Sequence, residues 1–334
     1  MVGKLKKTLL IKRYFNCLLN PSTPFFAHFF ITTRCNLRCP YCGVWKNDYS
    51  KHENTELSKK IIDKIYGTGV VELSFTGGEP LLRGDIYELI NYASDLGLWT
   101  QITSNGTMDE EMYKKLAESK IDFVSISLDS LRKEEAKADP DKIIGAIKTL
   151  NKNGKKPNIS CILNQRNMNI ESIKKVLKFA KDEKCSIMLC PVVIKRGEKK
   201  FSFRVSGKEY EKNKVNEIFD FLSQNYGNYP LMDTMHFLSL SRNYMLGAEA
   251  WRCKGTRFYD IMPDGTFGFC QDFLTKQNIL DDDFDRWFKE ERLKDAKKII
   301  FGCEGCVYSC YPNTEDIFSF NVFHVLMTLI KARF

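Results

Sequence analysis

Histidine is scarce in this chain, and no apolar run is long. The four histidines, His28, His52, His236 and His324, are scattered without metal-ligand spacing, which excludes a histidine-built metal centre. The apolar stretch from Ile317 to Ile330 covers 14 residues, short of the roughly 20 that cross a bilayer; it reads as a docking or interfacial helix. No secretory signal is visible: the basic start is interrupted by Lys12 and Arg13, and no small-residue cleavage site follows. No low-complexity tract occurs, which excludes wholesale disorder. Zinc-finger spacing, an RNA-recognition signature and a helix-turn-helix pattern are all missing, so no nucleic-acid partner is expected.

Cysteine, by contrast, is abundant. Twelve cysteines lie in 334 residues that are 43% hydrophobic and 28% charged. That length suits one large or two modest domains. Without a secretory signal, clustered cysteines read first as metal ligands in a reducing compartment, and a cytoplasmic location is expected. The net charge is +9 and uneven. Lys4, Lys6, Lys7, Lys12 and Arg13 crowd the start, and residues 195–214 hold eight Lys/Arg against three Glu. These are solvated faces or a surface for an anionic partner: a lipid headgroup, a nucleotide or a leader peptide.

From residue 26 to about 194, β-branched runs alternate with amphipathic helices. Strands are expected at 29–33, 71–76, 100–104, 123–129, 158–163 and 186–193. Helices are expected from Leu57 to Tyr66, Asp85 to Leu96, Asp109 to Ser119, Asp141 to Asn153 and Ile170 to Glu183, with Gly97 and Gly154 as stops. Six strands with crossover helices imply an α/β fold with a parallel sheet, two strands short of a closed barrel. Function is expected at the carboxyl ends of the strands. The division reads as a basic amphipathic segment (1–24), a partial barrel (25–194), connecting helices and a basic loop (195–250), a small cysteine-rich domain (251–312) and an apolar helix (313–334).

The loop after the first strand reads T-T-R-C-N-L-R-C-P-Y-C and carries Cys35, Cys39 and Cys42. Three thiolates suit an iron–sulfur cluster with one iron left open. A zinc knuckle would need a fourth ligand, and His52 is the one close candidate. T-G-G-E-P, with Gly77, Gly78, Glu79 and Pro80, ends the second strand; its glycines permit close backbone approach and Glu79 can accept from an ammonium group. Together these motifs resemble the radical S-adenosylmethionine (SAM) superfamily. The resemblance implies a TIM-like partial (βα)6 barrel. It implies a 4Fe–4S cluster on Cys35, Cys39 and Cys42, SAM chelated to the open iron, and reductive cleavage to a hydrogen-abstracting 5′-deoxyadenosyl radical. It implies SAM contacts from Tyr41, the Gly77–Pro80 element, Ser104, Asn105, Ser127 and Asp129, with Asn164 near the ribose or adenine.

A second constellation follows Trp251. Pro263-Asp264-Gly265 predicts a hairpin that brings Cys253 towards Cys270, and C-E-G-C-V-Y-S-C adds Cys303, Cys306 and Cys310. Two cysteines plus a C-x2-C pair suit a cluster or structural zinc. The segment resembles the twitch or SPASM module, which implies an auxiliary 4Fe–4S cluster on Cys253, Cys270, Cys303 and Cys306, with Cys310 a substitute or a spare. A general base would help a dehydrogenation, and Asp260, Asp264 and Asp272 are nearby, but turn or surface roles are the favoured reading of each. Cys161, Cys185 and Cys190 are read as small core side chains, and Cys17 as part of the N-terminal helix. The substrate reads as a small molecule or lipid precursor, with a peptide as the alternative. No upstream peptide-recognition segment and no cobalamin-binding segment is visible. The resemblance implies a one-electron donor such as flavodoxin or ferredoxin. The two termini read first as packing on the barrel; the basic N-terminal helix also raises an anionic membrane surface as a further partner. The opposed reading is a non-catalytic iron–sulfur or zinc protein.

Overall fold

The computed structural model describes residues 2–195, 205–206, 209–248, 251–255 and 257–319. Helix α1 (Val2–Leu19) precedes strands β1 (Phe26–Thr32), β2 (Glu72–Gly77), β3 (Trp99–Ser104), β4 (Phe123–Ser127), β5 (Asn158–Leu163) and β6 (Ser186–Pro191). Between successive strands run α2 (Thr55–Gly67), α3 (Ile86–Leu96), α4 (Glu110–Glu118), α5 (Pro140–Lys152) and α6 (Ile170–Asp182). The six strands pair in order and in parallel, the open sheet of a partial barrel.

Local chemistry sets the helix ends. Asn54 and Asn169 accept backbone N–H groups at the starts of α2 and α6, and Pro140 opens α5. Gly97, with φ 99°, ends α3 as expected of a left-handed stop. The core-facing stripes are regular: Ile61, Ile62 and Ile65 on α2, and Ile173, Val176, Leu177 and Ala180 on α6.

The sheet has two different faces. Ile102, Val124, Ile126, Ile159, Leu163, Ile187 and Leu189 are buried in one core with the helices. The concave face alternates with them and carries hydroxyls and amides among apolar side chains such as Phe30, Ile162 and Met188. Register places Ser74 beside Gln101, Thr103 beside Ser125, Asn158 beside Ser186 and Ser160 beside Met188. Asn158 links its neighbours, donating to Ser125 Oγ at 3.1 Å and accepting from Ser186 Oγ at 3.1 Å.

Beyond β6 come the short pair β7 (Ile194–Lys195) and β8 (Val205–Ser206), then α7 (Lys212–Gln224) and α8 (Met235–Met245). The chain then returns to the opposite edge. β9 (Phe258–Ile261) pairs in parallel with β1, and β10 (Thr266–Cys270) and β11 (Phe273–Asn278) continue antiparallel. The turn at Gly265 (φ 90°) is the hairpin expected from Pro263-Asp264-Gly265. The cysteine hairpin therefore extends the barrel's own sheet, in the order β11-β10-β9-β1-β2-β3-β4-β5-β6. Helices α9 (Phe284–Glu290), α10 (Arg292–Phe301) and α11 (Cys310–Ser319) close the described chain.

Two of the N-terminal basic residues serve packing. Arg13 sits 3.8 Å over the Tyr66 ring and donates to the Val70 carbonyl at 2.8 Å. Lys6 pairs with Asp122 at 2.6 Å, and Cys17 is buried. Among the described residues no helix is long and apolar enough to cross a membrane. Residues 320–334 of the expected apolar C-terminal helix lie outside the described residues.

Candidate active site

The loop carrying Cys35, Cys39 and Cys42 leaves the carboxyl end of β1, and the glycine pair explains its path. A Cβ on Gly77 would meet the Thr32 carbonyl, and one on Gly78 the Arg34 carbonyl, both far inside contact distance. The amides of Gly78 and Glu79 donate to those same carbonyls at 2.8 Å. The close approach that the glycines permit is thus to the chain's own cysteine loop.

Glu79 is buried and accepts from the Asn105 amide at 2.7 Å and the Leu81 amide at 3.1 Å. Burial pushes its carboxyl up, and those amides pull the other way. An ionised carboxylate has acceptor sites left for an ammonium group. Asn105 ties β3 to the loop, donating to Asn36 at 2.8 Å. Pro80 opens the turn after Glu79. Ser104 shares a 3.2 Å hydrogen bond with Tyr113 of α4, and its hydroxyl also steadies the Glu79 carboxylate. Ser127 is buried at the end of β4.

A cavity of about 340 Å³ opens at these strand ends, lined in part by Cys39, Tyr41, Asp129, Asn164 and Lys137. The Tyr41 hydroxyl donates to Asp129 at 2.5 Å. Burial and then the Asp129 charge hold the phenol far above its ordinary range. The other Asp129 oxygen is buried without a hydrogen bond, 3.9 Å from the ammonium of Lys137. Asn164 uses its amide in local turns, accepting from Arg166 N and donating to Ile162 O. Lys137 was hidden from sequence reading in the charged run 132–137, although its side chain is only 6% exposed.

Cys39 and Cys42 both have thiols raised by burial; Lys137 then lowers the first, and backbone N–H groups of Val44 and Trp45 the second. Such thiols deprotonate when a metal takes the place of the proton. Among the described residues no three His, Cys, Asp or Glu converge on one metal ion. A multi-iron cluster spaces its thiolates more widely than one ion does, and the donor set of three thiols beside amide N–H groups and a lysine fits such an anionic group. The residues that would hold it are Cys35, Cys39 and Cys42.

Cys253, Cys270, Cys303 and Cys306 line a second, smaller cavity with Trp251 and Tyr311. The amide of Cys306 donates to the Trp251 carbonyl at 3.0 Å, which folds the later pair back beside Cys253. Burial pushes the Cys253 thiol up to about 12. Cys310 is absent from that lining and opens α11 on the barrel side. Cys190 departs from the core role expected of it: its thiol lies 3.5 Å from Ser160 Oγ and 3.1 Å from Ser309 Oγ, where the concave face meets the C-terminal segment. Cys161 and Cys185 are buried. Asp260 and Asp272, read as turn or surface residues, are buried; Asp264 does serve the turn, accepting from Thr266 N at 2.9 Å.

Residues 29–180 match the Radical SAM superfamily. Fe-coproporphyrin III synthase of Methanosarcina barkeri is 39% identical over 110 residues, 32% of this chain and 28% of that protein. PqqA peptide cyclase of Bradyrhizobium diazoefficiens is 39% identical over 112 residues, 33% of this chain and 29% of its own length. The matches thus span less than a third of either relative. SuiB of Streptococcus suis shares the fold with a TM-score of 0.63 at 20% identity, over 83% of this chain and 68% of SuiB.

Proposed function

We propose, from the premise that this chain belongs to the Radical SAM superfamily through residues 29–180, that it is an enzyme abstracting hydrogen from a polar substrate. A cluster on Cys35, Cys39 and Cys42 together with SAM would supply a 5′-deoxyadenosyl radical. The chain's own residues bind, orient and exclude water. Glu79 is offered to the SAM ammonium. Asp129, held by Tyr41, and Lys137 beside it offer one acceptor and one cation to the ribose and carboxylate. The observation that carries the reading is the single cavity where Cys39, Tyr41, Asp129 and Lys137 meet at the strand ends.

Cys253, Cys270, Cys303 and Cys306 are proposed to hold an auxiliary iron–sulfur cluster, with Cys310 outside the set. Its presence favours an oxidation. The hydroxyls and amides of the concave face support a polar small molecule over a lipid precursor. The PqqA peptide cyclase match gives a peptide substrate second place.

Protein reconstituted without oxygen and mixed with SAM and dithionite should release 5′-deoxyadenosine. Replacing Cys35, Cys39 and Cys42 with Ala should abolish that release. Persistent absence in protein with an intact, reducible cluster would instead favour the non-catalytic reading.

A further inference from the structure

We propose that His28, held by Asp260, accepts the proton that leaves a substrate when the C-terminal thiolate set accepts its electron. The proposal rests on the reading above, that Cys253, Cys270, Cys303 and Cys306 bind a redox-active cluster.

The pair sits at the seam between barrel and hairpin. His28 on β1 is in register with Asp260 on β9. Its Nδ1 lies 2.9 Å from one Asp260 oxygen, and the other oxygen accepts from the Tyr311 hydroxyl at 2.9 Å. Asp260 is fully buried, while the His28 side chain keeps 14% of its surface accessible. The Tyr311 ring stands edge-on to His28 at 5.9 Å and also lines the space among the four cysteines. One carboxylate therefore joins the concave face to the thiols. Among the described residues no lysine or arginine pairs with Asp260.

A buried carboxylate is stable only with hydrogen bonds or a positive partner, and His28 is the partner in place. With Nδ1–H donated to Asp260, the lone pair rests on Nε2, as in a general base oriented by a carboxylate. The balance is simple. A substrate carbon radical that becomes a closed-shell, more unsaturated product loses one electron and one proton. A cluster held by Cys253, Cys270, Cys303 and Cys306 would take the electron. The proton goes to Nε2, and the imidazolium is neutralised by Asp260. Asp260 acts through His28 and is a positioning residue.

Among the described residues the other titratable groups facing the pair are Tyr311, Cys270 and Cys310, with Tyr308 and Asp272 behind them. Burial raises Tyr311, Cys270 and Cys310 well above their ordinary values. Asp272 is held by the Tyr308 hydroxyl at 3.2 Å.

The test is a redox titration of the reconstituted full chain, followed by electron paramagnetic resonance, from about pH 6 to about pH 9. A variant with Cys35, Cys39 and Cys42 replaced by Ala isolates the C-terminal cluster; should it fail to fold, the two signals are resolved in the intact chain. The midpoint potential is expected to fall as pH rises. His28→Gln should flatten that dependence at unchanged iron content, and Asp260→Asn should shift it. A flat profile in the parent, or an undiminished slope in His28→Gln, overturns the proposal while the cluster reading stands. A folded triple variant without iron and sulfide overturns both together.

Discussion

At the scale of the residue, Asp129 is the most exposed to test. One oxygen holds the Tyr41 hydroxyl, and the other has no hydrogen bond. Asp129→Ala should weaken SAM binding by roughly 10- to 100-fold, the worth of about 1.5–3 kcal/mol for a hydrogen bond to a charged group. Calorimetry on cluster-loaded protein measures it, and Tyr41→Phe should cost less. Gly77 is a stability test. At φ 129° a side chain is strained, and its Cβ would strike the Thr32 carbonyl. Gly77→Ala should cost at least about 3 kcal/mol, seen as a thermal midpoint lowered by roughly 5 °C or more. The motifs carrying Cys35, Cys39, Cys42, Gly77 and Glu79 were legible because their spacing is local in sequence. Lys137 and the His28–Asp260 pair were not. A buried lysine in a charged run looks solvated, and a contact across 232 residues leaves no local periodicity.

At the scale of the element, the six strands were legible because each turns apolar residues into the core, although on β3 Ile102 sits there between buried Thr100 and Ser104. Boundaries moved for identifiable reasons. β1 begins at Phe26, three residues before the expected start, because β2 and β9 flank it from there. β4 stops at Ser127, which frees Asp129 to reach Tyr41. The basic residues of helix α1 interrupt an apolar stripe, a pattern that fits packing on the barrel and also an anionic membrane surface. Two of them point inward: Lys6 to Asp122, and Arg13 to Tyr66 and Val70. Replacing both with Ala should lower the thermal midpoint by a few degrees, consistent with roughly 1–2 kcal/mol for part-buried charged contacts. Binding to anionic liposomes should be no weaker in that variant; a marked loss would restore the membrane-surface reading.

At the scale of the whole molecule, stability should depend on pH through Asp233. Its buried carboxyl accepts from Leu189 N at 2.7 Å, and burial pushes it up to about 7 from an ordinary 3.8. Between those values the unfolded chain has lost the proton that the folded chain keeps, so stability falls as pH rises and levels off above about 7. Asp233→Asn should remove that decline, measured as denaturant midpoints over the same range.

β1 is flanked by β2, its neighbour in sequence, and by β9, which begins at Phe258. A chain emerging from the ribosome can assemble its six-strand sheet long before β9 exists, and until then the Phe26–Phe29 edge faces water with its hydrogen-bonding groups unpaired. Newly made protein therefore passes through a stage with a sticky, apolar margin. A product ending near residue 250 would be held there, and should collect in aggregates where the full-length chain does not.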